Sequence, residues 1–172
     1  MKQRIVALIL VALLAVVYQK VNGQVFQGKT EIGSFSRLIV KSNLKVVLVE
    51  SDIVDTVRIE GSKNFLESIM ILQSGEELIV RSKSFRDMKK DGTIYIPVRD
   101  LKHLEVNSDA KIISYTIIKS PELNVVVNGD CVVSLVLNGK LNIHEADGYK
   151  ASFRRVYHQS NTPIYLGNFY NN

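Results

Sequence analysis

The sequence is poor in the residues that build disulfide and metal scaffolds. It has one cysteine among 172 residues, 3 prolines, 3 histidines and no tryptophan. A single cysteine excludes an intramolecular disulfide framework and any zinc site made of several cysteines. So few prolines exclude a proline-rich linker. A hydrophobic content of 46% excludes a disordered chain, because such chains lack the apolar surface that offsets ordering entropy.

Sequence motifs for catalysis are also scarce. His103, His144 and His158 form no His-x-His or His-x-x-x-His pair, the spacings at which neighbouring histidines share a metal ion. The chain has neither a Gly-x-Ser-x-Gly nucleophile elbow nor a Gly-x-Gly-x-x-Gly dinucleotide motif. We therefore predict that the protein is not an enzyme and has no catalytic, cofactor-binding or metal-binding residues.

Beta-branched residues dominate what is present: the chain has 22 valines and 17 isoleucines. These residues suit the pleated, half-buried surface of a sheet. They occur in short runs separated by Asn, Asp, Ser and Gly, which is typical of an all-β domain. The runs are Leu38–Val40, Leu44–Val49, Val57–Ile59, Ile69–Leu72, Leu78–Val80, Thr93–Val98, Leu104–Val106, Ile112–Ile118, Leu123–Val127, Val132–Leu137, Leu141–Ile143 and Ile164–Leu166. One helical turn is predicted at Lys63–Ser68.

Residues 1–23 predict a secretory signal peptide. Two basic residues, Lys2 and Arg4, precede an unbroken apolar run over residues 5–17, and a spanning helix needs about 20 apolar residues. A small residue, Gly23, ends the polar stretch that follows, so we expect cleavage before Gln24. The alternative is an uncleaved N-terminal anchor.

We predict that residues 24–34 form a linker and that residues 35–172 form one domain. The protein would then be exported to the periplasm or the cell surface. Its mature chain would contain no stable transmembrane segment.

The second half of the chain shows weak internal repeats. Val106–Asp109 aligns with Val127–Asp130 at an offset of 21, and Leu123–Val125 aligns with Leu141–Ile143 at an offset of 18. The offset of 18 also carries Ser134 and Leu135 onto Ser152 and Phe153. Repeats of about 20 residues favour the coils of a β-solenoid with Asn side-chain ladders at its corners. The alternative is a set of hairpins with Asn-Gly type I′ turns.

The order of these segments resembles the putative auto-transporter adhesin head GIN domain family, common in secreted proteins of Bacteroidetes. The resemblance covers about Gly33 to Gly167 and implies a right-handed β-helix-like domain of pectin-lyase-like shape, exported and adhesive, with no established catalytic residues. The chain is a short version, because Asn128-Gly129-Asp130 is the one good copy of the family's corner motif. The matching segments are Gly33–Val40, Leu44–Glu50, Val57–Gly61, Ser74–Val80, Thr93–Val98, Leu101–Ser108 and Leu123–Asp130.

Two features are candidate ligand-contact surfaces. The basic segment lies between two predicted strands and is expected to be a hairpin loop, either merely solvated or in contact with an anionic glycan or lipid headgroup. The aromatic tail is expected either to cap the end of the solenoid or to contact a sugar or a protein. The basic segment comprises Arg81, Lys83, Arg86, Lys89 and Lys90, and the aromatic tail comprises Tyr157, Tyr165, Phe169 and Tyr170.

Two further features, a lone cysteine and a pair of aspartates, could be reactive, but each has a simpler structural interpretation. Cys131 precedes two valines and is expected to be a buried small hydrophobe rather than a reactive thiol. Asp130 and Asp147 could stack on adjacent coils as a calcium-dependent lyase site, but solvated turn carboxylates are the simpler interpretation.

The charge argues against a nucleic-acid partner. The net charge of the full chain is +5, with 22 basic and 17 acidic residues. Residues 1–23 contain Lys2, Arg4 and Lys20 and no acidic residue, so 19 basic residues remain after export and the net charge falls to +2. We predict a non-catalytic cell-envelope binding or adhesion module whose partner is a glycan or an envelope protein. The alternatives are a structural or regulatory envelope protein that binds through a β edge, or a degenerate polysaccharide-active enzyme.

Overall fold

The protein is almost entirely β-structure. The computed structural model describes residues 25–53, 55–83 and 86–146, together with the backbone of residues 152–156 and 167–168. The strands are β1 Phe26–Glu31, β2 Arg37–Val40, β3 Lys45–Glu50, β4 Thr56–Gly61, β5 Ile69–Ser74, β6 Glu77–Ser82, β7 Gly92–Val98, β8 His103–Val106, β9 Lys111–Val127, β10 Val132–Glu145, β11 Ser152–Val156 and β12 Gly167–Asn168. The predicted all-β class is confirmed.

The single helix of the described residues, α1, is Lys63–Ser68. It confirms the predicted helical turn. Ser62 is its N-cap, and the Ser62 hydroxyl accepts a hydrogen bond from the Phe65 amide at 3.2 Å, which satisfies one of the unpaired donors of the first turn. Phe65 is fully buried, so the helix is held by one aromatic anchor. Its six residues are too few to be stable without such an anchor.

The strands form one twelve-stranded sheet that is nearly closed and barrel-like. Its main path runs β1-β4-β7-β3-β9-β8-β2-β6-β5. The long strand β9 joins two regions, because its first residues pair with β3 and its last residues, Asn124–Val127, pair with β8. Strand β10 follows β9 along both parts. The interior between these regions is filled by Leu, Ile and Val side chains.

The central pairings are parallel and in register. Val106 lies opposite Val127, and Leu123 lies opposite Leu141, so the predicted repeats at offsets of 21 and 18 are confirmed as strand partners. The offset of 18 is wrong for Phe153, which lies opposite Val133 at an offset of 20. Two register shifts in β10, one between Ser134 and Val136 and one between Asn138 and Lys140, change the offset within a single pass of the chain.

Asn128-Gly129 connects the parallel strands β9 and β10, and Asn138-Gly139 lies within β10. Neither pair forms a hairpin turn, so the hairpin alternative is wrong for both. Gly139 lies in β10 and has φ of 140°. A Cβ atom there would overlap the carbonyl oxygen of Ser120, and the Ser120 hydroxyl donates to the Leu101 carbonyl at 2.6 Å. Glycine is therefore required at the point where β10 bends and its backbone packs directly against the backbone of β9.

Residues 24–34, predicted as a linker, contain strand β1. It pairs antiparallel with β4 over six residues, from Phe26 opposite Gly61 to Glu31 opposite Thr56. Its side chains alternate between half-buried and exposed, the pattern of an edge strand over a partly covered surface. Short, polar and glycine-containing, β1 lacks the apolar run by which the other strands were recognised.

The core consists of alternate residues from the strands around the sheet. Ile94, Ile96 and Val98 of β7 are fully buried, whereas the residues between them are half-buried. Cys131 is 2% exposed and belongs to the same core, so its predicted burial is confirmed.

Candidate ligand-binding surface

The basic segment is not a hairpin loop. Strand β6 pairs with β2 and β5, whereas β7 pairs with β3 and β4. The chain between them crosses from one part of the sheet to another. Local sequence could not reveal this, because a crossover and a hairpin begin and end with the same kind of strand.

Met88 anchors this crossover to the core. Its side chain is 1% exposed, and its sulfur accepts a hydrogen bond from the Ser82 hydroxyl at 3.0 Å. Its amide donates to the Asn43 carbonyl at 3.0 Å. The basic residues next to Met88 therefore lie beside the turn between β2 and β3.

The five cations of the basic segment have different surroundings. Lys89 lies 3.4 Å from the Asp87 carboxylate and donates to the Asp109 carbonyl at 2.8 Å. Arg86 lies 3.0 Å from Asp91. Arg81, Lys83 and Lys90 are exposed. The backbone amide of Lys89 and then its ammonium group lower the pKa of Asp87. The structure therefore divides the predicted patch into paired and solvent-facing charges.

A stacked corner lies beside this segment. The Asp109 amide donates to the Asn43 side-chain oxygen at 3.0 Å, and the Asp130 amide donates to the Asp109 carboxylate at 3.0 Å. Asn128 Nδ2 donates to Asn107 Oδ1 at 2.6 Å. The predicted Asn ladder is confirmed at this corner. A Cβ atom on Gly129 would lie 2.6 Å from the Ser108 carbonyl carbon, so glycine permits the close stacking.

A second ladder crosses the paired strands β9 and β10. Asn142 Nδ2 donates to Asn124 Oδ1 at 2.9 Å and to the Glu122 carboxylate at 2.6 Å. Lys140 lies 3.1 Å from the same carboxylate. The Asn142 and Lys140 donors lower the pKa of Glu122.

Between the corner and the basic segment lies a cavity of about 350 Å³, which we call the corner cavity. Its walls come from the β2–β3 turn, the β8–β9 turn, the end of β6 and the crossover that follows β6. Three of the residues are cations and the others carry hydroxyl or amide groups. The lining residues are Lys41, Ser42, Asn43, Arg81, Ser82, Arg86, Asn107 and Ser108.

Sequence reasoning found two of the corner cavity's cations, Arg81 and Arg86, and missed Lys41. Lys41 lies forty positions from Arg81, and the parallel register of β2 with β6, in which Val40 faces Val80, brings them together. Nothing local marks this pairing. Only the matched apolar runs of the two strands, Leu38–Val40 and Leu78–Val80, could have suggested it.

Two other cavities contain carboxylates. One of about 300 Å³ is lined by Ser34, Phe35, Ser36, Glu76, Arg99, Asp100 and Lys102. The other, of about 560 Å³, is lined by Lys29, Val49, Ser51, Ile53, Asp55, Thr56, Arg58, Tyr95 and Pro97. In this second cavity the Arg58 guanidinium lies 4.4 Å from the centre of the Tyr95 ring, an attractive cation–π contact that already covers one face of the ring.

A charged network spans β2, β6 and β8. Arg37 lies 2.6 Å from Glu105 and 3.3 Å from Glu77, and His103 lies 3.8 Å from Glu105. Burial and then the Arg37 charge lower the pKa of His103. The hydrogen bond from Asn107, with that from Arg37, lowers the pKa of Glu105. Neighbouring strands in register explain the network as cross-strand ion pairing.

The described residues hold no group of three His, Cys, Asp or Glu side chains that could bind a metal ion. Burial raises the pKa of the Cys131 thiol to about 11, which keeps it protonated at neutral pH and unreactive. Asp147, the second carboxylate of the hypothetical lyase pair, lies outside the described residues. So do Tyr157, Tyr165, Phe169 and Tyr170 of the aromatic tail.

One further motif in the sequence has the spacing of a phosphate-binding loop. Residues 23–30 read Gly-Gln-Val-Phe-Gln-Gly-Lys-Thr, which fits Gly-x-x-x-x-Gly-Lys-Thr. Phosphate loops follow a strand and open a helix, whereas Gly28, Lys29 and Thr30 lie within strand β1, paired with β4. The match is therefore fortuitous.

The chain belongs to the family described as putative auto-transporter adhesin, head GIN domain, whose model matches residues 34–150. The predicted resemblance is confirmed. No curated protein matches the chain. In the described part of the chain, no helix has the length and apolar character needed to cross a membrane.

Solved structures of low sequence identity share the fold. A putative adhesin from Parabacteroides merdae is 19% identical with a TM-score of 0.59, over 77% of this chain and 57% of that one. A putative adhesin from Bacteroides fragilis is 12% identical with a TM-score of 0.52, over 78% of each chain. A putative lipid binding protein from Parabacteroides distasonis is 13% identical with a TM-score of 0.52, over 77% of this chain and 63% of that one. The chain thus spans less than two thirds of the first and third of these proteins.

Proposed function

We propose that the protein is an exported, non-catalytic binding or adhesion module of the cell envelope, with a glycan as its ligand. The observation that carries the proposal is the corner cavity, where three cations and the Asn43 side-chain amide line a hydrogen-bonded corner. Family membership and the adhesin descriptions of the structural relatives support it. A binding role needs no reactive group, which agrees with a buried, protonated Cys131.

The proposed contact surface comprises the basic segment and the aromatic tail defined above. The solvent-facing charges of Arg81, Lys83 and Lys90 support a contact with an anionic surface. For the aromatic tail we propose capping of the last strands. A chain ending after Arg155 should melt at a lower temperature than the full chain if the tail is a cap, and an unchanged melting temperature would refute capping.

Export depends on residues 1–23, which we propose to be a signal peptide cleaved before Gln24. The basic start and the apolar run over residues 5–17 support this. Intact mass of the exported protein should give a mature chain starting at Gln24. A mass that retains Met1 would refute cleavage.

We further propose that the parallel passes are coils of a right-handed β-helix. Partner offsets of 21 and 18 between β9 and β10, and of 20 between β10 and β11, support coils of about one constant length. The Asn ladders, one at the corner and one across β9 and β10, support it as well. An experimental structure in which the chain winds with the opposite hand would overturn this proposal.

A second candidate function is binding of an envelope protein through a β edge. Strand β5 ends the main strand path and pairs only with β6 among the described strands. Its Leu72 is 42% exposed. An unpaired edge of this kind can accept a strand from a partner.

A glycan array probed with the mature protein separates the candidates. Binding to a defined set of glycans supports adhesion. Co-purification of one envelope protein with no glycan signal supports the β-edge function and overturns the adhesion proposal. Turnover of an acidic polysaccharide would overturn both non-catalytic candidates and favour a degenerate polysaccharide-active enzyme.

A further inference from the structure

The corner cavity has an unusual charge balance. None of the residues lining it in the described part of the chain is acidic, whereas three are cations. Each of the other two described cavities includes at least one carboxylate, from Glu76 and Asp100 in one and Asp55 in the other. A concave site with one sign of charge and low-dielectric walls concentrates ions of the opposite sign.

Two of its cations have no side-chain partner among the described residues. Neither Lys41 nor Arg81 forms an ion pair or a side-chain hydrogen bond with any residue that the structure describes. The third, Arg86, is held 3.0 Å from Asp91, which does not line the cavity. The site therefore combines one cation fixed by its own carboxylate with two that can turn their donors toward a ligand.

Asn43 adds a neutral donor whose orientation is fixed. Its side-chain oxygen accepts the Asp109 amide at 3.0 Å, which settles which end of the amide is the oxygen. The Asn43 Nδ2 group makes no hydrogen bond to another described residue. The Ser42 and Ser108 hydroxyls are occupied within the corner, since Ser42 Oγ accepts from the Ser82 amide and Ser108 Oγ donates to the Ser42 carbonyl.

The geometry points to the corner cavity as a subsite for one anionic sugar residue, a carboxylate- or sulfate-bearing monosaccharide unit. This inference rests on the proposed glycan-binding function and names its ligand class. Arg81 would clamp two oxygens of the anion with its planar fork, and Lys41 would supply a point charge. Asn43 Nδ2 would donate to a sugar oxygen. A volume of about 350 Å³ is at the small end for ligand sites and suits a single sugar unit.

The test is a titration of the mature protein, labelled with nitrogen-15, at constant ionic strength. The probes are D-glucuronic acid, D-glucose and inorganic sulfate, and the signals are the side-chain N–H resonances of Asn43 and Arg81. Glucuronic acid should shift both resonances saturably, and glucose should not. In Arg81→Gln and in Lys41→Gln the affinity should fall at least about tenfold, because each substitution removes a charge-assisted donor.

Lys119→Gln is the matched control, because Lys119 is an exposed cation that does not line the corner cavity. It should keep the affinity within about twofold of the original. An equal loss in Lys119→Gln and Arg81→Gln would mean diffuse charge attraction and would overturn the inference. Melting curves of all three variants should match the unsubstituted protein, since the substituted side chains are exposed.

The remaining outcomes separate this inference from the proposed function. If array binding is confined to neutral glycans, the glycan-binding function stands and the anionic subsite falls. If sulfate binds as tightly as glucuronic acid and no glycan binds, the cavity accepts an anion but the sugar assignment and the glycan function both fall. If glucuronic acid binds with unchanged affinity in Arg81→Gln, the ligand class stands and the corner cavity is the wrong site.

Discussion

Gly139 is the residue with the tightest surroundings among the described glycines. Its φ of 140° is unfavourable for other residues, and a Cβ atom would overlap the Ser120 carbonyl oxygen. We expect Gly139→Ala to lower the free energy of unfolding by more than about 3 kcal/mol, through strain and displaced backbone. Urea unfolding followed by circular dichroism measures it.

Gly75→Ala is the control for Gly139→Ala. Gly75 also has a positive φ, 56°, but a Cβ atom there meets no atom within 4 Å. Its cost should be limited to the left-handed backbone, about 1–2 kcal/mol. Equal costs at the two positions would show that the bend of β10 relaxes without penalty.

Cys131 offers a probe of native packing. It is 2% exposed, and burial raises its pKa to about 11. Because the thiolate is the reactive form, we expect negligible alkylation by iodoacetamide at pH 8 in the native protein. Complete alkylation should follow in guanidinium chloride. Rapid native labelling, read by intact mass, would contradict the buried position.

Stability should fall on acidification because of His103 and Glu105. The folded protein lowers the pKa of His103 below 6.5, so the unfolded chain binds that proton more readily and unfolding is favoured as the pH falls below about 6.5. The pKa of Glu105 is lowered below 4.5. Its contribution is therefore present above that pH and is lost as the pH falls through the folded value.

Urea unfolding at a series of pH values measures both contributions. His103→Gln should flatten the curve between about pH 7 and pH 5 and leave the steeper fall below it, which belongs to carboxylates such as Glu105. His144→Gln, at an exposed position of β10, is the control and should keep the original curve. A protein that becomes more stable between pH 7 and pH 5 would contradict the assignment.

At the scale of elements, the Asn107–Asn128 contact links two consecutive turns. Asn128 Nδ2 donates to Asn107 Oδ1 at 2.6 Å, and Asn107 Nδ2 donates to Glu105 at 2.8 Å. A double-mutant cycle with Asn107→Ala and Asn128→Ala should give a coupling free energy of about 1 kcal/mol. A coupling near zero would mean that strand pairing alone holds the corner.

Sequence patterns predicted most elements but only part of their pairing. The strand β7 is recognisable because Ile94, Ile96 and Val98 alternate with less buried residues. β1 was missed because it contains no apolar run. It is a strand because its backbone pairs with β4. A constant offset failed at Phe153 because each pair of strands has its own register: the offset falls from 21 to 18 along β9 and β10 but is 20 between β10 and β11.

For the whole molecule, the opposing charges nearly cancel in the proposed mature chain, which lacks residues 1–23. A net charge of +2 remains, and the cations of the basic segment are partly paired with Asp87 and Asp91. Affinity for nucleic acid depends on clustered, unpaired cations. We expect no detectable binding of the mature protein to a DNA duplex at physiological salt by fluorescence anisotropy. Salt-sensitive binding under those conditions would contradict the proposed class of ligand.

The candidate site is the part of the molecule that sequence could predict least. The basic segment was visible as a run of charges, but the corner cavity needs Lys41 and Asn43, which the parallel alignment of β2 with β6 and β8 brings beside it. Contacts over 40 to 66 positions follow from which strands become neighbours. The identity of the neighbouring strands depends on the whole sheet, and no local motif specifies it.

The matched register of β9 and β10 also limits how a gene for such a protein can change in length. Val132 faces Lys111 and Leu141 faces Leu123, so one codon added inside a pass would send every following side chain to the opposite surface until the next bend. In the proposed β-helix, duplication of residues 111–131, one pass at the offset of 21, would instead add a coil whose side chains keep their inward and outward positions. If the chain forms the proposed β-helix, lengthening by whole coils is therefore tolerated better than the insertion of a single residue inside a strand.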